Sequence, residues 1–121
     1  MPHIDVKYKS DHFEESDLVE IANAALDVIS CAYQEVPEFI SVDFTPQSKF
    51  AMNRKDIDLE VWSSRGVNGS RVPITESVAE DCAQKIGSII EKMRPNKQLS
   101  ASVWVRVFEV DHYALWRNEH S

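Results

Sequence analysis

The sequence is short of the residues that mark many functional classes. Its 121 residues include only two cysteines and three glycines. Cys31 and Cys82 fall in helix-like stretches with no C-x-x-C and no Cys/His ligand spacing, so buried reduced thiols are expected in place of a disulfide or a zinc site. His3, His12, His112 and His120 are scattered, and none pairs with another histidine at i,i+4, which predicts no metal. The stretch from Ser63 to Ser70 holds two glycines but no P-loop lysine, so a phosphate cradle is missing. No signature of a serine or cysteine hydrolase surrounds any nucleophile. No apolar run approaches about 18 residues, and the opening lacks the basic-then-apolar order of a signal peptide, which predicts a cytoplasmic protein without a membrane span. Asn68-Gly69-Ser70 matches a glycosylation acceptor that has no meaning without secretion. Positive charge is scarce as well. Thirteen basic against 20 acidic side chains give a net charge of −7, which repels phosphate backbones and anionic lipid and argues against nucleic acid and membrane partners.

What the chain does have is a repeated order of elements. Ile4, Val6 and Tyr8 alternate with His3, Asp5 and Lys7 as in a strand. After the polar stretch Lys9 to Ser16, Leu18, Ala22, Ala25, Ile29 and Ala32, flanked by Ile21, Leu26 and Tyr33, recur with helical spacing until Pro37. The run Phe39 to Thr45, stopped by Pro46, reads as a second strand. The order then repeats. Asp56 to Val61 echoes His3 to Tyr8 in phase, at an offset of 53 (56 − 3), and a loop of turn-forming residues runs from Ser63 to Pro73. Thr75 and Ser77-x-x-Glu80 offer a cap and a capping box for a helix whose stripe is Val78, Cys82, Ile86, Ile89 and Met93. Ser102 to Val110 closes as a strand, with Val103, Val105 and Val107 alternating with Trp104, Arg106 and Phe108. The length suits one domain over residues 1–121, with unit one at 2–46, unit two at 56–110 and a tail at 111–121. The expected architecture is α+β: two tandem β-α-β units forming a four-stranded mixed sheet with two helices on one face. Such a sheet leaves its other face bare. Trp62, Trp104, Phe108, Tyr113 and Trp116 are many large groups to leave in water, so an oligomer is expected.

Pro2 heads the first strand directly behind Met1. Proline is tolerated there structurally, since no ladder N–H is lost on an edge strand. With Met1 removed it also becomes a terminal secondary amine. Such an amine titrates near ~8 in water, and modest desolvation leaves it unprotonated at pH 7, as a general base requires.

Pro2 at the head of a strand, the tandem β-α-β units and the length together resemble the tautomerase superfamily, which includes 4-oxalocrotonate tautomerase, macrophage migration inhibitory factor and 5-carboxymethyl-2-hydroxymuconate isomerase. The resemblance covers almost the whole chain. Leu59-Glu60-Val61-Trp62-Ser63-Ser64-Arg65-Gly66 and the ending Val107-Phe108-Glu109, Tyr113 and Asn118-Glu119-His120 are similar to a bacterial branch of that superfamily. The resemblance implies a trimer whose sheets make a central barrel, an amino-terminal proline as base, a small 2-oxo or enol carboxylate as substrate and no cofactor. Arg65 and Arg71, in the loop before the second helix, become the candidates to grip the carboxylate as guanidinium forks, with the two left unresolved. Arg106, on the last strand, is a weaker candidate that faces the sheet surface and serves a neighbour's site. Phe50, following the second strand, corresponds to an apolar pocket residue, which would depress the basicity of Pro2.

One departure stands out. Short tautomerases carry an arginine near the start of the second strand, whereas this segment reads Ile40-Ser41-Val42-Asp43-Phe44. Ser41 or Asp43 takes that place, depending on a shift of one or two residues, and a carboxylate there suits an acid or a water activator. That leaves two alternatives to the tautomerase reading: a non-catalytic binding or assembly module of the same fold, and a decarboxylase or hydratase relative with Pro2 as acid.

Overall fold

The computed structural model describes residues 2–64, 74–94 and 98–108. Its elements are β1 (His3–Tyr8), α1 (Glu15–Tyr33), a short 3-10 turn (Pro37–Phe39), β2 (Ser41–Pro46), β3 (Ile57–Ser64), α2 (Glu76–Met93) and β4 (Ala101–Phe108). The sheet order is β2-β1-β3-β4. Each unit pairs its own two strands in parallel, β1 with β2 and β3 with β4, and the two first strands join antiparallel in the middle. Two β-α-β units in one mixed sheet are what the repeated hydrophobic phase predicts.

Alternation decides which face is core. Ile4, Val6, Ile57, Leu59 and Val61 are fully excluded from solvent beneath the helices. Each such side chain contributes roughly 1.5–3 kcal/mol of burial free energy. From α1 the residues Leu18, Ile21, Ala22, Ala25, Ile29 and Tyr33 are buried, and from α2 Cys82, Ile86 and Ile90. The stripe on α1 is thus rotated slightly from the sequence reading. Ala32 and Leu26 lie at its margin, because α1 also packs sideways on α2.

The element ends differ from the sequence reading in three places, each for a local reason. Helix α1 starts at Glu15, not Asp17, because the N–H of Glu14 donates to the Asp17 carboxylate at 3.0 Å and closes the first turn earlier. At its other end Gln34 takes the left-handed conformation, φ 51°, and ends the helix before Pro37, which instead opens the 3-10 turn and delays β2 to Ser41. On α2 the cap is Thr75, whose hydroxyl accepts from the N–H of Val78 at 3.2 Å. Ser77 lies inside the first turn, so the Ser77/Glu80 box does not form the terminus. Residues 109–110 of the expected last strand and the tail 111–121 lie outside the described residues.

Cys82 is buried and free as expected, but Cys31 is free and exposed. Cys31 sits on the helix flank turned from the sheet, where helical location alone does not bury a thiol. Among the described residues no helix is long and apolar enough to cross a membrane.

Candidate active site

Pro2 is fully buried at the head of β1. The ladder gives its surroundings. His3 is level with Ser41 of β2 and with Trp62 of β3, so one step further along stand Ile40 on one side and Ser63 on the other. Alternation turns Pro2, Ile40 and Ser63 to the helix side, and Ile40 and Ser63 are both buried. Tyr33, the last residue of α1, reaches this end of the sheet from above. Its hydroxyl lies 3.0 Å from Ser63 Oγ, and Ser63 Oγ lies within 3.4 Å of the Arg106 carbonyl oxygen, to which it can donate. Burial pushes the Tyr33 phenol above its ordinary range, against the opposing bond from Ser63, so it stays a neutral O–H at physiological pH. A strand head flanked by an apolar wall and two linked hydroxyls therefore forms the closed side of this end.

The other side of the same end is polar and open. His3 Nδ1 is 2.6 Å from Ser41 Oγ, and its Nε2 is 4.0 Å from the Asp43 carboxylate. Next to it the Arg106 guanidinium lies over two indoles, 5.2 Å from the Trp62 ring and 4.9 Å from the Trp104 ring. Arg106 also approaches Glu60 at 3.7 Å. Glu60 accepts from Trp62 Nε1 at 3.1 Å and faces Lys7 at 3.6 Å. Along β3 this face carries a row of carboxylates. Asp58 accepts from the Ser102 hydroxyl at 2.8 Å, and Asp56 accepts from the N–H and hydroxyl of Ser100 and pairs with Lys9 at 3.1 Å. The Ser100 N–H is the main reason the Asp56 carboxyl titrates below its ordinary value.

The structure places the sequence candidates as follows. Pro2, Asp43 and Arg106 share one end of the sheet, but Pro2 faces the helices while Asp43 and Arg106 lie on the open face. Asp43 is exposed, with the His3 imidazole 4.0 Å away. Phe50 is not at this end. It is 80% exposed in the connection after β2, which Gln47 anchors by donating its N–H to the Tyr8 carbonyl at 2.7 Å, a strand's length of roughly 20 Å from Pro2. Arg65 and Arg71 lie outside the described residues. Arg65 follows Ser64 directly, and β3 ends at Ser64 on the side of Pro2.

No family model and no curated protein matches the chain. Solved structures do. Malonate semialdehyde decarboxylase matches with a TM-score of 0.65 at 10% identity, over 96% of this chain and 92% of that chain. A member of the cis-3-chloroacrylic acid dehalogenase family gives 0.63 at 14%, over 89% and 74%. A macrophage migration inhibitory factor-like protein from Entamoeba histolytica gives 0.60 at 11%, over 90% and 88%. The chain has the tautomerase-superfamily fold. Within the tautomerase fold of this chain, the structure brings Tyr33 and Ser63 to the Pro2 end and Glu60 to the open face near Arg106, and sequence reading gave none of the three a place in the site. Their signals were present: Tyr33 is four residues after Ile29 on the buried stripe, and Ser63 continues the inward phase of Leu59 and Val61.

Proposed function

We propose that the chain is a cofactor-independent enzyme of the tautomerase type, in which Pro2, freed by loss of Met1, is the general base on a small 2-oxo or enol carboxylate. The observation that carries this is the complete burial of Pro2 at the head of a central strand of this fold. While Met1 is attached the Pro2 nitrogen is an amide. Once released it is an amine beside Ile40 and the Tyr33–Ser63 hydroxyls, and desolvation favours its neutral form. Arg65 or Arg71, in the segment leaving β3 at this end, grips the carboxylate.

The active unit is a homo-oligomer, with a trimer the favoured form. Phe39 in the 3-10 turn, Phe44 on the edge strand β2 and Trp104 on the open face are exposed in a single chain. A neighbouring copy is also what brings Phe50 and Arg106 to a Pro2 that their own chain keeps apart from them.

Intact-mass analysis and ketonisation of phenylenolpyruvate test the reading. Processed protein should lack Met1, and Pro2→Ala should cut the rate by about 100-fold or more. Equal rates in parent and variant refute it.

A second reading draws on the exposed Asp43 carboxylate beside His3. There Pro2 is a protonated acid and Asp43 activates water, in a decarboxylase or hydratase. The malonate semialdehyde decarboxylase structure is described with both of those activities, and with a variant of its first-position proline. Titration of the Pro2 amine separates the readings, because a value well above neutrality selects the acid.

A further inference from the structure

A groove of about 650 Å³ runs between α1 and α2, and both cysteines of the chain line it. Val28, Ala32 and Val78 make its apolar walls and Lys85 stands at its rim. We propose that Cys31 and Cys82 are a thiol pair that a hydroperoxide converts to a disulfide joining α1 to α2.

The two thiols are placed for different tasks. Cys31 is exposed, so a peroxide reaches its sulfur; Cys82 is buried and meets only what is already in the groove. Burial, with the Asp81 carboxylate beside it, holds the Cys82 thiol above its ordinary range. Among the described residues no third histidine, cysteine or carboxylate joins them in a metal-holding group. The two residues lie on the two helices that flank one groove, and a disulfide needs Cα atoms within about 7 Å of each other, which is the separation the proposal requires of them.

The chemistry balances in two steps. The Cys31 sulfur attacks one peroxide oxygen, the O–O bond breaks, a sulfenic acid forms, and the other oxygen leaves as water with the thiol proton. The Cys82 sulfur then attacks the Cys31 sulfur, the S–S bond forms, the S–O bond breaks, and hydroxide leaves as water with the Cys82 proton. Two thiols and one hydrogen peroxide thus give one disulfide and two waters. The bridge ties the helix of unit one to the helix of unit two.

The experiment treats folded protein with one equivalent of hydrogen peroxide. The intact mass should fall by about 2 Da, both thiols should vanish from thiol titration, and dithiothreitol should restore them. A non-reducing peptide map should join the Cys31 and Cys82 peptides, and the melting temperature should rise. In Cys82→Ser a dimedone adduct should collect on Cys31, whereas in Cys31→Ser the remaining thiol should survive the treatment. A mass gain of about 16 or 32 Da with Cys82 still open to alkylation after unfolding overturns the proposal, as does a dimer linked through Cys31. The wild-type mass arm decides the matter even if Cys82→Ser does not fold.

Discussion

The two faces of the central sheet solve the same problem with opposite chemistry. On the helix side Leu59 and Val61 are fully buried among apolar neighbours, and the hydroxyls of Tyr33 and Ser63 are the polar groups at its Pro2 end. On the open side, one residue along the same strand, Asp58 and Glu60 are 7% and 6% exposed, and among the described residues no helix lies above them. Their cover is made of long side chains: the stem of Lys7 and the guanidinium of Arg106 from the adjacent strands, and the ring of Trp62 from β3 itself. One face is closed by burying what water rejects. The other is closed by pairing what water would solvate, which stabilises less per residue because Lys7 and Arg106 stay partly in water.

Substitutions on β3 can break that contrast. Leu59→Ala on the helix side should cost about 2–5 kcal/mol in urea unfolding, since a fully buried side chain leaves a cavity. On the open side, Glu60→Ala should cost about 1–2 kcal/mol through loss of the Lys7, Arg106 and Trp62 contacts. Equal losses would erase the distinction between the faces. A smaller effect should come from pH. The Asp56 carboxyl is depressed in the folded chain, so its contribution is complete above its ordinary titration range and is lost as pH falls through the lower folded value. Unfolding free energies measured from pH 6 downward should therefore drop less steeply in Asp56→Asn than in the parent, and parallel curves would remove Asp56 from the account.

The sequence made much of this fold legible because alternation and helical spacing are local signals. Ile4 and Val6 against Asp5 and Lys7 gave the faces of β1, and the echo at Ile57 gave those of β3. What it hid depends on contacts far apart in the chain. The sheet order, with β1 beside β3, comes from pairing across more than fifty positions, and nothing in either strand announces its neighbour. The start of α1 was hidden because Glu14 is an unusual cap, and the start of β2 because Pro37 begins a 3-10 turn ahead of it. At the candidate site Pro2 was legible from position alone. The Tyr33–Ser63 contact joins a helix end to a strand thirty residues away, and Phe50 was assigned to a pocket that its own chain leaves at the opposite end of the sheet.

The antiparallel meeting of β1 and β3 gives the molecule an approximate internal dyad, so the head of β1 and the head of β3 stand at opposite ends of the sheet. The counterpart of Pro2 under the 53-residue offset is Lys55, whose nitrogen is locked in the chain between Arg54 and Asp56. The 53-residue echo therefore repeats a place in the ladder but not its surroundings: the proline at the first is buried and the lysine at the second is exposed.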